Sequence, residues 1–190
     1  MSNSPKGLLY SPKFLPDDLH NKLEKWLTSQ PESFWVNVSP NPNGRKVKQF
    51  GYTYDYNKKG NGDVTDSYPE IILEVVNLIK KCIPEKYILD ACIINRYKPG
   101  EGITAHIDKI DSFDDYVCCL TMCSGADLEF SKDSDTFTLH TVPNSLYIMT
   151  DESRYLWKHQ MRGRLTDIVN GTTVKRGIRY SITFRTLLKR

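Results

Sequence analysis

From about residue 88 onward the chain is a run of short alternating segments separated by turn residues, which restricts it to folds built from many short strands. Residues 88–97, 104–108, 117–122, 127–130, 136–140, 145–149, 156–159 and 180–187 read as strands. Clusters such as Lys98-Pro99-Gly100 and Val142-Pro143-Asn144 punctuate them. This pattern predicts an all-β sandwich or jelly roll. The C-terminal segment alternates most cleanly: Arg179, Ser181, Thr183 and Arg185 share one face, and Tyr180, Ile182 and Phe184 share the other. So uniform an apolar face has to be packed, which leaves the polar face for solvent or for a site.

The preceding third reads differently. Leu19, Leu23, Trp26 and Leu27, following Pro16-Asp17-Asp18, predict an amphipathic helix ending near Gln30-Pro31. Residues 69–83 predict a second, with Ser67 as cap, Ile72, Val75, Val76 and Ile79 as the buried stripe, and Pro84 just beyond the end. Between them, basic turn-like stretches flank the tyrosine-rich segment 49–56, read as a strand or flap. No boundary is evident. Residues 1–190 are therefore expected to form a single domain, with helices and the tyrosine-rich flap in 1–87 and a jelly-roll core in 88–190. The expected fold class is mainly β (α+β), with the helices packed outside.

Hydrophobic residues make up 39% of the chain, enough for a core and too many for a disordered polymer. There is no apolar run of about 18 residues and no apolar leader at the start, so neither a membrane span nor secretion is expected. Five cysteines without CxxC spacing fit a reduced chain in the cytoplasm or nucleus. The net charge of +3 is unevenly spread. Residues 154–190 carry ten Lys/Arg against the single acid Asp167, a basic segment that suits either a solvated face or a nucleic-acid footprint.

Metal chemistry is suggested by His106-Ile107-Asp108. On a strand, residues two apart point the same way, and two imidazoles plus a carboxylate form the facial triad of non-haem Fe(II) oxygenases. The third ligand has to come from elsewhere, with His20, His140 and His159 as the candidates. His159 ends the run Tyr155-x-Trp157-x-His159. Arg179 and Arg185, with hydroxyls between them, suit a bound carboxylate, because arginine pairs with carboxylates bidentately. Asn95 and Tyr97 share a face of their own strand and, if inward, need buried partners.

These segments resemble the AlkB-type Fe(II)/2-oxoglutarate dioxygenases. The resemblance is carried by Asn95-Arg96-Tyr97-Lys98-Pro99-Gly100, His106-Ile107-Asp108, Ser153-Arg154-Tyr155-Leu156-Trp157-Lys158-His159 and Arg179-Tyr180-Ser181-Ile182-Thr183-Phe184-Arg185, across roughly residues 90–187. Phe50-Gly51-Tyr52-Thr53-Tyr54 resembles the family's substrate lid. The wording is closest to the eukaryotic branch that hydroxylates modified wobble uridine in tRNA.

The resemblance implies a double-stranded β-helix, with Fe(II) on His106, Asp108 and His159 and 2-oxoglutarate and O2 as cosubstrates. It implies the distal carboxylate on Arg179 and Tyr97, with Asn95, Ser181 and Arg185 completing the cosubstrate site. Ser181 stands where some members carry Asn. Ile110 stands where purine-repairing members carry an acid, with Asp111 one residue later. The implied reaction hydroxylates or oxidatively demethylates a modified or alkylated base in DNA or RNA. The alternatives are the same chemistry on a protein side chain or small molecule, or a metal-stabilised binding module. Tyr52, Tyr54 and Tyr56 are the expected stacking surfaces, and Lys46 and Lys48, with Lys58 and Lys59, the expected phosphate contacts.

Overall fold

A computed structural model describes residues 4–38, 44–52 and 63–188. In chain order the elements are β1 (Leu8–Ser11), α1 (Asp17–Ser29), a 3-10 turn (Glu32–Phe34), β2 (Val36–Asn37), β3 (Lys46–Gly51), α2 (Glu70–Ile79), β4 (Ala91–Tyr97), β5 (Ile103–His106), β6 (Phe113–Met122), β7 (Ala126–Lys132), β8 (Asp135–Thr141), β9 (Ser145–Met149), α3 (Asp151–Tyr155), β10 (Lys158–Met161), β11 (Thr166–Val169), β12 (Thr172–Lys175) and β13 (Arg179–Leu187).

The strands form a major sheet in the order β1-β9-β6-β13-β4-β3-β2 and a minor sheet in the order β5-β10-β7-β8, with β11 and β12 as a separate hairpin. This is the jelly-roll core expected from the sequence. No helix among the described residues is long and apolar enough to cross a membrane.

Strand alternation creates two cores. The outward face of the major sheet, including Cys92, Ile94, Cys118, Leu120, Ile148, Tyr180, Ile182 and Phe184, packs against Leu19, Leu23 and Leu27 of α1 and Ile72, Val75, Val76 and Ile79 of α2. The inward face contributes Tyr97, Val117, Cys119, Tyr147 and Met149 to a second cluster with Ala126, Leu128, Phe130, Leu139, Trp157 and Met161. Cys118 and Cys119 thus lie on opposite faces of β6, and all five cysteines are free thiols.

Three local expectations are corrected. α2 starts after Pro69 with no side-chain cap, so Ser67 does not cap it. Proline at that position needs no N–H, and its fixed φ already suits a helix entry. Residues 156–159 are not one strand: Tyr155 ends α3, and the strand begins at Lys158. Asp108 lies beyond the end of β5, in the connection to β6. β1, β11 and β12 were not anticipated, being four-residue strands at an edge or in a hairpin.

Candidate active site

A cavity of about 320 Å³ opens between the two sheets. Its major-sheet wall is the polar face recognised in the sequence: Asn95 and Tyr97 of β4 with Arg179, Ser181, Thr183 and Arg185 of β13. Antiparallel register explains the convergence. Tyr97 lies directly opposite Arg179, and Asn95 opposite Ser181, so each pair shares a face. The minor-sheet wall holds His106 of β5 and His159 and Gln160 of β10.

Register also joins the two histidines. His159 is the cross-strand partner of His106, and their ring centroids are 4.3 Å apart. Candidate ligand atoms of His106, Asp108 and His159 all lie within 4.8 Å of one another. His140 is elsewhere, on β8, with Nδ1 2.7 Å from Asp127 Oδ1. His20 is on α1 and does not line the cavity.

The arrangement around these three side chains fits a metal ion. His106 Nδ1 lies 2.8 Å from the Thr104 carbonyl, which assigns the ring proton to Nδ1 and frees the Nε2 lone pair. Nε2 then faces Asp108 Oδ1 at 3.5 Å, two acceptors confronting each other as they would across a cation. Burial pushes the His159 pKa down to about 4 against the pull of Asp108, so its imidazole is neutral and ligand-competent at pH 7. Burial alone would raise the Asp108 carboxyl. The Arg185 guanidinium beside it outweighs that and holds Asp108 well below the usual carboxylate range.

The opposite wall fits an anion. Arg179 is only 4% exposed, donates from Nη2 to Thr121 Oγ1 at 3.0 Å, and leaves Nε buried with no partner. A buried guanidinium N–H without an acceptor is costly, and a carboxylate would relieve it. Tyr97 packs beside it, its ring centroid 5.9 Å from the guanidinium carbon. Asn95 Oδ1 accepts from Arg45 at 3.0 Å, which turns Nδ2 toward the Ser181 carbonyl. Arg185 is engaged more closely with the triad than its expected cosubstrate role suggests: its Nε donates to Asp108 Oδ2 at 2.8 Å.

The expected substrate contacts fare differently. Lys46 and Lys48 alternate away from the cavity and pair with Glu32 and Asp66, while Arg45 reaches the cavity. Tyr52 packs against Ala91, Phe113 and Leu187 and does not line the cavity. Tyr54, Tyr56, Lys58 and Lys59 lie outside the described residues. Ile110 is 59% exposed, and neither it nor Asp111 lines the cavity, whereas Lys109 does.

Sequence reading passed over Arg45, Lys109, Cys119 and Tyr147 as cavity residues. Burial raises the pKa of both Cys119 and Tyr147, keeping each neutral. Cys119 lies in the unbroken apolar run 117–120, where alternation does not show which face is inward, and Tyr147 is flanked by Leu146 and Ile148. No stronger signal pointed to either.

Comparison with known proteins agrees with this geometry. The family model of the 2OG-Fe(II) oxygenase superfamily matches residues 7–185. The mimivirus protein "Uncharacterized protein L905" is 35% identical over 131 residues, covering 66% of this chain and 61% of that protein. The mouse tRNA (carboxymethyluridine(34)-5-O)-methyltransferase ALKBH8 is 32% identical over 202 residues, covering 95% of this chain and 30% of that protein. The chain therefore spans less than two thirds of these relatives. The solved structure of OsALKBH1 shares the fold, with a TM-score of 0.69 at 17% identity, over 98% of this chain and 99% of that one. With the two-sheet fold, the His-Asp-His cluster and a family match over nearly its whole length, the chain belongs to the 2OG-Fe(II) oxygenase superfamily and resembles its AlkB-type members.

Proposed function

We propose that this enzyme hydroxylates or oxidatively demethylates a modified base in nucleic acid, with His106, Asp108 and His159 as its iron ligands. The observation that carries the reading is one cavity with two unlike walls: three convergent ligand atoms on one side and the unpartnered Arg179 Nε on the other. Iron with 2-oxoglutarate and dioxygen supplies the oxidising power, converting a substrate C–H to C–OH as the cosubstrate leaves as succinate and carbon dioxide. The chain's own residues bind and orient. Arg179 and Tyr97 would take the distal carboxylate, with Asn95 and Ser181 lining its approach. Arg185 holds Asp108 ionised and in place.

The choice of nucleic acid rests on relatives and charge. The ALKBH8 names refer to tRNA, and an Arabidopsis relative, 26% identical over 80% of this chain, is named "Alkylated DNA repair protein ALKBH8 homolog". Arg45 and Lys109 add positive charge to the cavity lining beyond Arg179 and Arg185. A base entering such a cavity must leave its stack.

The test is mass spectrometry of products from a panel of methylated and wobble-modified DNA and RNA oligonucleotides, with succinate measured alongside. The reading predicts that at least one oligonucleotide gains an oxygen or loses a methyl as formaldehyde, in step with succinate. No product from any oligonucleotide and no salt-dependent binding, with coupled turnover on a peptide or small molecule instead, would assign the enzyme to another substrate class.

A further inference from the structure

Arg154 is 2% exposed, yet it lies on α3, outside the cavity lining. A guanidinium is expensive to bury, and its donors must be satisfied. Its side-chain hydrogen bonds to other elements go to backbone carbonyls of the β5–β6 connection and of the first two residues of β6. Nη1 donates to Asp108 O at 2.8 Å, Nη2 to Phe113 O at 3.0 Å and Lys109 O at 3.2 Å, and Nε to Asp114 O at 3.3 Å. That loop bears the Asp108 carboxylate, and Asp108 lies past the end of β5, where no strand pairing holds its backbone. One planar side chain thus replaces the missing ladder.

α3 is itself fixed. Thr150 N donates to Ser153 Oγ at 3.1 Å, and Ser153 N donates to the Lys6 carbonyl at 2.9 Å. Gly7, at φ +81°, lies so close that a Cβ there would come within 2.1 Å of the Thr150 carbonyl oxygen. On the loop side, Asp115 accepts hydroxyl hydrogen bonds from both Tyr155 and Tyr87. The loop is therefore clamped to a rigid support rather than to a mobile one.

We propose that Arg154 is the positioning residue of the metal centre: by bridging the carbonyls of Asp108, Lys109, Phe113 and Asp114 it sets where the Asp108 carboxylate stands relative to His106 and His159. Arg185 orients the carboxylate's outer oxygen; Arg154 fixes the backbone from which that carboxylate projects. The inference rests on the reading of His106, Asp108 and His159 as metal ligands.

The test uses Co(II) as the probe, titrated into the metal-free 190-residue chain, with affinity and visible spectrum recorded for wild type, Asp108→Ala, Arg154→Met and Arg154→Lys. The melting temperature of each metal-free variant is measured in parallel. Arg154→Met is expected to weaken Co(II) by roughly 10–100-fold, the usual cost of losing an outer partner of a metal ligand, and to alter the spectrum. Lysine keeps a buried cation but offers at most three N–H donors to four carbonyls, so Arg154→Lys should be weakened too. It decides the matter alone if the methionine variant does not fold. Folded Arg154 variants that melt lower but bind Co(II) with wild-type affinity and spectrum would make Arg154 a structural residue only and overturn the proposal. If Asp108→Ala also binds like wild type, it is the ligand assignment that has failed.

Discussion

His106 and His159, 53 residues apart in sequence, are direct partners across the β5–β10 pair, with both imidazoles on the same face. That single register relation selects the third ligand. His140 stands on β8, two strands beyond β10 in the sheet order β5-β10-β7-β8, and is already paired with Asp127. His159→Ala should therefore reduce metal affinity by more than the roughly 10–100-fold typical of an outer-shell loss. His140→Ala should leave it unchanged. Metal titration of the two variants checks this, and the reverse ranking would refute the assignment.

Arg179 should matter to the cosubstrate and not to the metal. Its unpartnered Nε and its position opposite Tyr97 suit a carboxylate at the far end of the cavity from the triad. Replacing it by alanine removes a charge-assisted pair worth about 1.5–3 kcal/mol, so 2-oxoglutarate binding should weaken by roughly 10–100-fold. Calorimetry of 2-oxoglutarate binding to the Co(II)-loaded protein is the measurement. Equal affinities for wild type and variant would remove Arg179 from the site.

Acid should destabilise the metal-free protein through His159. Burial holds its folded pKa down to about 4, whereas the unfolded chain takes up that proton near pH 6.5. Stability from the neutral ring is thus fully present above about pH 6.5 and is lost as pH falls toward 4, by at most about 3 kcal/mol. Asp108, whose folded pKa is also depressed, adds its own loss at still lower pH. Urea midpoints between pH 7.5 and 4.5 should fall for wild type and fall less for His159→Gln. Parallel slopes would contradict this origin.

Much of the site was legible because strand alternation is legible. The polar and apolar faces of 179–185 appear in the structure as read, one lining the cavity and the other packed in the core. Less was visible where the chain leaves regular strands. Asp108 was read as a strand residue, yet it reaches His106 from a loop that Arg154 supports. The resemblance implied Lys46 and Lys48 as phosphate contacts. The period-two geometry of β3 sends them toward Glu32 and Asp66, while Arg45, two positions before Val47, reaches the cavity. Side-chain direction depends on register with a neighbouring strand, and a single strand's sequence does not carry that.

The helix layer should be separable from the chemistry. Leu23 is fully buried between α1 and the outward face of the major sheet. Leu23→Ala should cost about 2–5 kcal/mol of stability, read from denaturant midpoints. Its KM for 2-oxoglutarate should match wild type at temperatures where both are folded, and a raised KM would mean that the two layers are coupled.

The most direct measurement of the central claim is Fe(II)-dependent conversion of 2-oxoglutarate to succinate, run with wild type, His106→Ala, Asp108→Ala and His159→Ala under identical folding controls. Wild type should release succinate even without a prime substrate, and each triad variant should fall to the level of the enzyme-free reaction. Succinate release by any folded triad variant at the wild-type rate would contradict the assignment of iron to these three side chains.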